Sequence, residues 1–405
     1  MLEYLVESFV EGFFHGFSSS SRRRGETGNE TIGRRRFKFP SPNHVSRAKM
    51  LHEKDFVAIV SSLQDSTKSA HVHMEYLETI HSLSQVGSGN RRALAQAGVA
   101  SAIVAVFATH SENAAVQRSC CRAVVAFAAN EPENQRLMRE AGAVETTVDA
   151  LNSHRSDPLL AESALDAIRS LADDCLENQR AFATAGTCVA VAAALVAHGG
   201  IMRTAESACW ALRSLASWPK NVRLLREAGA FESVVATLTY YCHGEHNAVL
   251  EAALGAIAKF ALSGAERYHL RKIGACDAVL SMLRTNLSRS AVQGWSLAAL
   301  GYMVVENPEN RRALLDSGAA DAVVAALNAL PGDADNVQTW GLWAILMMAS
   351  RDPESVGRLR QAGAETAIMA ALANHPKHAD VQEWGAAASD ALLQFYLRPA
   401  EAPKV

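Results

Sequence analysis

The sequence predicts an all-α fold, a solenoid of stacked helical repeats, and three observations carry that expectation. A nine-residue unit, NRRALAQAG ending at Gly98, returns as NQRLMREAG at Gly142, NQRAFATAG at Gly186 and NVRLLREAG at Gly229. Weaker copies end at Gly274, Gly318 and Gly363. The steps between these glycines are 44, 44, 43, 45, 44 and 45 residues. A period of roughly 40–47 residues belongs to all-helical solenoids, whose neighbouring units bury one continuous core of any length. Five and nine residues after most of the glycines stand apolar pairs such as Ile103 and Phe107, Val234 and Leu238, and Val323 and Leu327. That spacing is one buried face of a second helix.

The first 17 residues, ahead of the repeats, place Leu2, Leu5, Val6, Phe9, Val10, Phe13 and Phe17 at helical spacing, with Glu3, Glu7 and Glu11 opposite. This predicts an acidic amphipathic helix over 1–17, either a cap on the first repeat or a helix for a partner or membrane. Residues 18–49 are rich in Ser, Gly and Pro and hold two Arg triplets, Arg22–Arg24 and Arg34–Arg36. With almost no aliphatic side chains they cannot bury a core, and they read as a flexible basic linker. The solenoid is expected over 50–397 and a disordered tail over 398–405. Its first repeat is degenerate, with helices at Asp55–Gln64 and Met74–Ser84 and no copy of the nine-residue unit.

Within a unit, Pro132, Pro219, Pro308 and Pro353 lie ten residues before the glycine, where they end one helix and open the next. The Asn eight before the glycine (90, 134, 178, 221 and 310) is read as the N-cap of a short first helix. The glycines Gly98, Gly142, Gly186, Gly229, Gly274, Gly318 and Gly363 are read as left-handed turn residues that end it. A longer third helix follows the second, as in VQRSCCRAVVAFA from Val116 or VQTWGLWAILMMA from Val337.

These units closely resemble the armadillo repeat, whose third helix reads roughly V-Q-E-x-A-x-W-A-L-x-N-L-A. The resemblance covers about residues 50–397 and implies a right-handed superhelix of about eight repeats. It also implies a concave groove, lined by third helices, that binds protein. In importin-alpha and beta-catenin an Asn ladder in that groove holds an extended peptide, with Trp one turn earlier. The Asn positions here hold Ala126, Ser170, Ser214, Lys259, Tyr302, Met347 and Ala391. The Trp positions hold Arg122, Asp166, Trp210, Gly255, Ala298, Trp343 and Ala387. The missing ladder argues against importin-like recognition of basic peptides and leaves groove binding through other side chains.

Those other side chains divide by charge. Arg118, Arg122, Asp166, Arg169 and Arg213 give the N-terminal part of the groove a charged character. Trp295, Trp340 and Trp384 recur at one repeat position, and with Trp343, Tyr302 and Met347 they make the C-terminal part aromatic and apolar. Aromatic and Arg side chains dominate binding energy at interfaces; the alternative is that these tryptophans fill space between successive third helices. Arg92, Arg136, Arg180, Arg223 and Arg312, six before the glycine, are read as structural, their stems packed and their heads on carbonyls or carboxylates.

No constellation of catalytic type stands out, and no enzyme activity or cofactor is expected. Cys242, His243 and His246 offer three donor side chains in one loop without an evident fourth, and an exposed polar loop is the expected reading over a metal site. The seven cysteines have no framework spacing and read as small buried residues of a reducing compartment. The repeats carry a net −7 and the tail from Ser18 to Lys49 a net +7. An acidic body makes nucleic acid an unexpected partner, and the opposite charges allow the tail to contact the groove. No apolar run reaches the length of a membrane span. The expected function is a non-enzymatic scaffold or adaptor for an extended or helical protein segment. A nuclear-transport adaptor or small-GTPase regulator on the same fold is the alternative. The expected location is the cytoplasm, with the nucleus as the alternative.

Overall fold

The computed structural model describes residues 53–244, 246–349 and 352–393. The helix expected at 1–17, the linker at 18–49 and the tail at 398–405 lie outside them. The chain divides after Phe56, and before that point only Glu53–Phe56, the opening turn of a helix, is described. The unit that follows is helical throughout. The described residues hold 23 α-helices and no strand, arranged as eight successive repeats.

Each complete repeat has a nine-residue first helix, a second helix of about three turns, and a third helix. Pro132–Glu140, Ala143–Ser153 and Pro158–Ala172 form one such set. The third helices, labelled here α1 to α8, are Ala70–Val86, Ala114–Ala128, Pro158–Ala172, Met202–Leu215, Asn247–Ala261, Ser290–Val304, Thr339–Ala349 and Ala379–Leu393. Each packs chiefly on the third helix before and after it, so α1 to α8 form the spine of a solenoid. The first repeat has only Glu53–Gln64 and α1. α1 begins four residues earlier than its apolar pattern suggested, because the Ser69 hydroxyl accepts from the Val72 amide and closes the first turn.

Chain punctuation follows from backbone geometry. Pro132, Pro219, Pro308 and Pro353 open first helices, where the missing amide hydrogen costs nothing. The glycine between first and second helix is left-handed in all seven complete repeats, with φ from 73° at Gly186 to 93° at Gly142. A Cβ at Gly142 would meet only the Val104 side chain, at 3.9 Å. Replacement there therefore tests conformation rather than crowding. Gly142→Ala should lower stability by about 1–2 kcal/mol, read as a shifted thermal melt. An unchanged melt would show that this turn tolerates a side chain.

The repeat Asn residues correct the sequence reading. They sit inside the first helix, not at its N-cap, and they close the end of the third helix before it. Asn134 Nδ2 donates to the Phe127 carbonyl at 2.8 Å, and Asn178 Nδ2 to Leu171 at 2.8 Å. Asn178, Asn221 and Asn310 reach a second carbonyl in the preceding repeat, at Gln135, Gln179 and Arg267 (3.2, 3.0 and 2.9 Å). The cap itself falls to other residues: Asn307 and Asp352 accept from Asn310 and Ser355 amides.

The Arg column is also displaced by one. Arg92, Arg136, Arg180, Arg223 and Arg312 are exposed, and Arg136 and Arg223 pair with glutamates of their own helix. The linking role belongs to the residue before. Gln135 Nε2 donates to Ser170 and Asp173 carbonyls at 2.9 Å, and Arg267 donates to Ala261 and Val305 at 2.8 and 2.6 Å. The Gln of the V-Q pair has a task of the same kind. Gln117, Gln293, Gln338 and Gln382 each donate to the last carbonyls of the second helix, as Gln338 does to Leu327 and Leu330 at 2.9 Å. Orphan helix-end carbonyls are thus satisfied by side chains.

Candidate protein-binding face

Third-helix residues spaced by four share a face, so each of α2 to α8 presents the same columns. At the Trp column stand Arg122, Asp166, Trp210, Gly255, Ala298, Trp343 and Ala387, and one turn on stand Ala126, Ser170, Ser214, Lys259, Tyr302, Met347 and Ala391. Their environments change along the stack. Arg122 is exposed and pairs with Glu78 of α1 at 3.2 Å, and Arg118 and Asp166 are partly exposed. Ser170 is partly exposed, its hydroxyl 3.4 Å from the Val125 carbonyl.

On α3 and α4 an acidic group gathers. Burial raises the pKa of Asp166, against the Ser207 hydroxyl and the Arg169 and Arg203 guanidiniums, which hold it down. Glu162 and Glu206 are likewise raised, first by burial and further by the neighbouring carboxylates, with Arg203 opposing in both cases. Three carboxylates therefore share one poorly solvated recess and are only partly neutralised. Their stability sign follows. A carboxyl raised in the folded state favours folding at acid pH and loses that contribution as pH rises through its folded value.

The next residues form a cation–aromatic stack. Arg169 lies 4.8 Å from the Trp210 ring, and Arg213 sits between Trp210 (5.2 Å) and Trp295 (5.4 Å). The two indoles meet edge to face at 6.5 Å. Gly255 makes room, because a Cβ there would come within 3.2 Å of Arg213 Cδ. Arg213, Ser214 and Lys259 are buried. Ser214 Oγ donates to Asp173 at 3.1 Å. Burial, then the charge of Arg213, brings the Lys259 ammonium down to about 7, with Asp174 and Asp173 opposing.

Towards the C-terminus the large rings are buried. Trp295, Trp340, Trp343 and Tyr302 are at most 1% exposed, and Met347 and Trp384 only 4%. Trp343 lies over Gly301 of α6 and packs against Tyr302 (4.6 Å) and Trp340 (5.3 Å). Trp343 thus fills the space between α6 and α7, and Trp295 borders Gly255 of α5. Cys242 is partly exposed and His246 packs edge-on against Tyr241 at 5.2 Å.

The sequence matches no family model and no curated protein. Solved structures do resemble it. One, from work on a phosphorylation switch controlling the interaction between cadherin and beta-catenin, aligns with a TM-score of 0.64 at 17% identity, over 85% of this chain and 65% of that one. A designed armadillo repeat protein aligns at 0.54 and 21% identity, over 61% of this chain and 99% of the other. A second design, in complex with the peptide (KR)4, aligns at 0.52 and 22%, over 62% and 99%. At such identities the likeness speaks to architecture alone, and together with the eight stacked repeats it shows that this chain has an armadillo-type fold.

Proposed function

We propose that this protein is a non-enzymatic scaffold whose third-helix face holds a cationic segment of a protein partner, with α3 and α4 as the selective part. The acidic recess of Glu162, Asp166 and Glu206 carries the proposal. Burial already penalises these charges, and a Lys or Arg head placed among them would offset that penalty, as in other partly buried ion pairs. Arg169 and Arg203 stand beside these carboxylates and neutralise them only in part. Main-chain recognition through an Asn ladder has no counterpart here, so affinity rests on side-chain charge and falls with salt. The fold's likeness to a design seen with a basic peptide agrees with this reading. The chain carries one such segment itself, the stretch 18–49 with its two Arg triplets, which would compete with partners for the same recess.

The test uses the full chain and a labelled (KR)4 peptide in fluorescence anisotropy. Parent protein should bind it, and the triple variant Glu162→Gln, Asp166→Asn, Glu206→Gln should bind at least about tenfold more weakly, since hydrogen bonds to charged groups contribute about 1.5–3 kcal/mol each. The same variant should melt at or above the parent temperature at pH 7, because burial works against the charged carboxylates that it removes. Unchanged affinity would sink the proposal. Weak binding accompanied by a lower melting temperature would make these residues part of the fold rather than of a binding face.

A further inference from the structure

A column of side chains at the ends of the second helices stitches repeats to those before them. His154 Nε2 lies 2.8 Å from the Ser111 carbonyl, His198 Nε2 2.8 Å from that of Arg155, and His375 Nε2 2.7 Å from that of Pro331. Tyr241 does the same through its hydroxyl, which donates to the Gly199 carbonyl at 3.0 Å. A carbonyl only accepts, so each imidazole donates there, and it can do so whether neutral or charged. Protonation leaves these bonds intact.

The boundary between the first and second repeats is built differently. His110 holds the same place in its repeat, 44 residues before His154, but its Nε2 meets Nδ1 of His73 on α1 at 2.8 Å. The two rings stand edge to face with centroids 5.0 Å apart, and Gln117 Nε2 anchors the His110 carbonyl at 2.9 Å. The proton pattern follows from the next contact. His73 Nε2 lies 3.2 Å from the Asp65 carbonyl, so that nitrogen carries the hydrogen. Neutral His73 then offers Nδ1 as an acceptor, and His110 Nε2 donates to it. One added proton is accommodated, with His73 donating from both nitrogens and His110 accepting. A second is not, because two N–H groups of two cations would then face one another. His73 is only 1% exposed, so water gives that repulsion little relief.

We propose that His73 and His110 form an acid-released latch, which frees α1 from the second repeat while the other repeat boundaries stay closed. Such a step is a local opening of the terminal repeat. His110 is held below the ordinary histidine value of 6.5, first by burial and then by the charge of His73. A ring lowered in the folded state favours folding above its ordinary value and loses that contribution as pH falls through the folded one. The latch therefore opens on the acid side of 6.5. The surrounding charges are engaged elsewhere or exposed. The Asp65 carboxylate accepts from Thr67 Oγ1 at 2.6 Å and pairs with Lys68 at 3.3 Å. Residues 57–64 carry no ionisable side chain, and Glu75 of α1 pairs with His71 at 3.4 Å. On α2, Arg118 is partly exposed and Arg122 pairs with Glu78. Glu112 in the loop after His110, and Glu145 and Asp149 on the adjoining second helix, are exposed. The latch lies outside the cationic recess, and its test does not depend on peptide binding.

Hydrogen exchange of the full chain, read by mass spectrometry, tests the latch at about pH 7.5 and about pH 5.5, either side of the histidine range. Labelling times are scaled to equal intrinsic exchange. At the lower pH, peptides of α1 should lose at least about tenfold in protection relative to peptides of α5, the effect of one pKa unit. The loss should stop within the first two repeats, since acid favours the folded form of the α3–α4 carboxylates. His110→Gln, whose amide can donate to His73 without titrating, should make α1 protection independent of pH. Nitrogen-15 spectra of the parent's histidines give a second reading that needs no variant. His73 and His110 should titrate in two separate steps, the second below the ordinary histidine range. Protection of α1 that follows α5 at both pH values, or an acid loss unchanged by His110→Gln, would overturn the proposal. So would two rings that titrate independently of one another.

Discussion

Gly301→Ala should be among the most damaging single substitutions in this protein, at about 3 kcal/mol, the upper end for an overpacked core. A Cβ at that position would overlap the six-membered ring of Trp343. The ring has nowhere to go, since Tyr302 and Trp340 hold it from two other sides at 4.6 and 5.3 Å. The added methyl must therefore push α6 and α7 apart, and the loss should spread to adjoining repeats through their shared core. Chemical denaturation followed by circular dichroism reads the effect. A second substitution, Trp343→Leu, should recover part of the loss in the double variant while being destabilising alone. A Gly301→Ala protein that denatures with the parent would mean that the two helices do not approach as closely as described.

Asn310→Leu should cost about 2–3 kcal/mol, because it leaves two buried carbonyls without a donor. Asn310 Nδ2 serves Met303 at 3.0 Å and Arg267 at 2.9 Å, the second across the repeat boundary. Asn90 provides the comparison, as it donates to Leu83 alone at 3.1 Å and is only partly buried. Asn90→Leu should therefore shift the urea midpoint less than Asn310→Leu does. Equal shifts in the two variants would show that the cross-repeat bond adds nothing to stability.

The repeat frame was legible because period and punctuation are local properties of a chain. Gly98 to Gly363 and the four prolines mark element ends through backbone geometry, which a residue type reports directly. Partners across a boundary are a different matter. Asn178 was legible as a helix-end residue, but the end it serves is that of the preceding helix, and its second acceptor lies 43 residues back. Spacing says that a residue recurs, and it cannot say which neighbour it touches. Gln135 and Arg267 carry no such signal for the same reason: Gln and Arg differ in kind at this repeat position, yet both reach helix-end carbonyls. The groove columns share one helix face by spacing alone. Whether Arg213 or Trp343 on that face meets solvent depends on Gly255 and Gly301 in the adjacent repeats, which admit the larger side chains.

The cross-repeat Asn bonds also bear on how such a chain can change in length. Donor and acceptor lie 42 or 43 residues apart, and each belongs to the same column of its own unit. Duplicating or deleting a whole unit returns every donor to an equivalent carbonyl. An insertion of a few residues inside a first helix would leave both the Asn and its acceptor facing the wrong turn. Gain or loss of whole repeats therefore preserves these bonds, and the third-helix face would lengthen in increments of about 10 Å, the distance between packed helices.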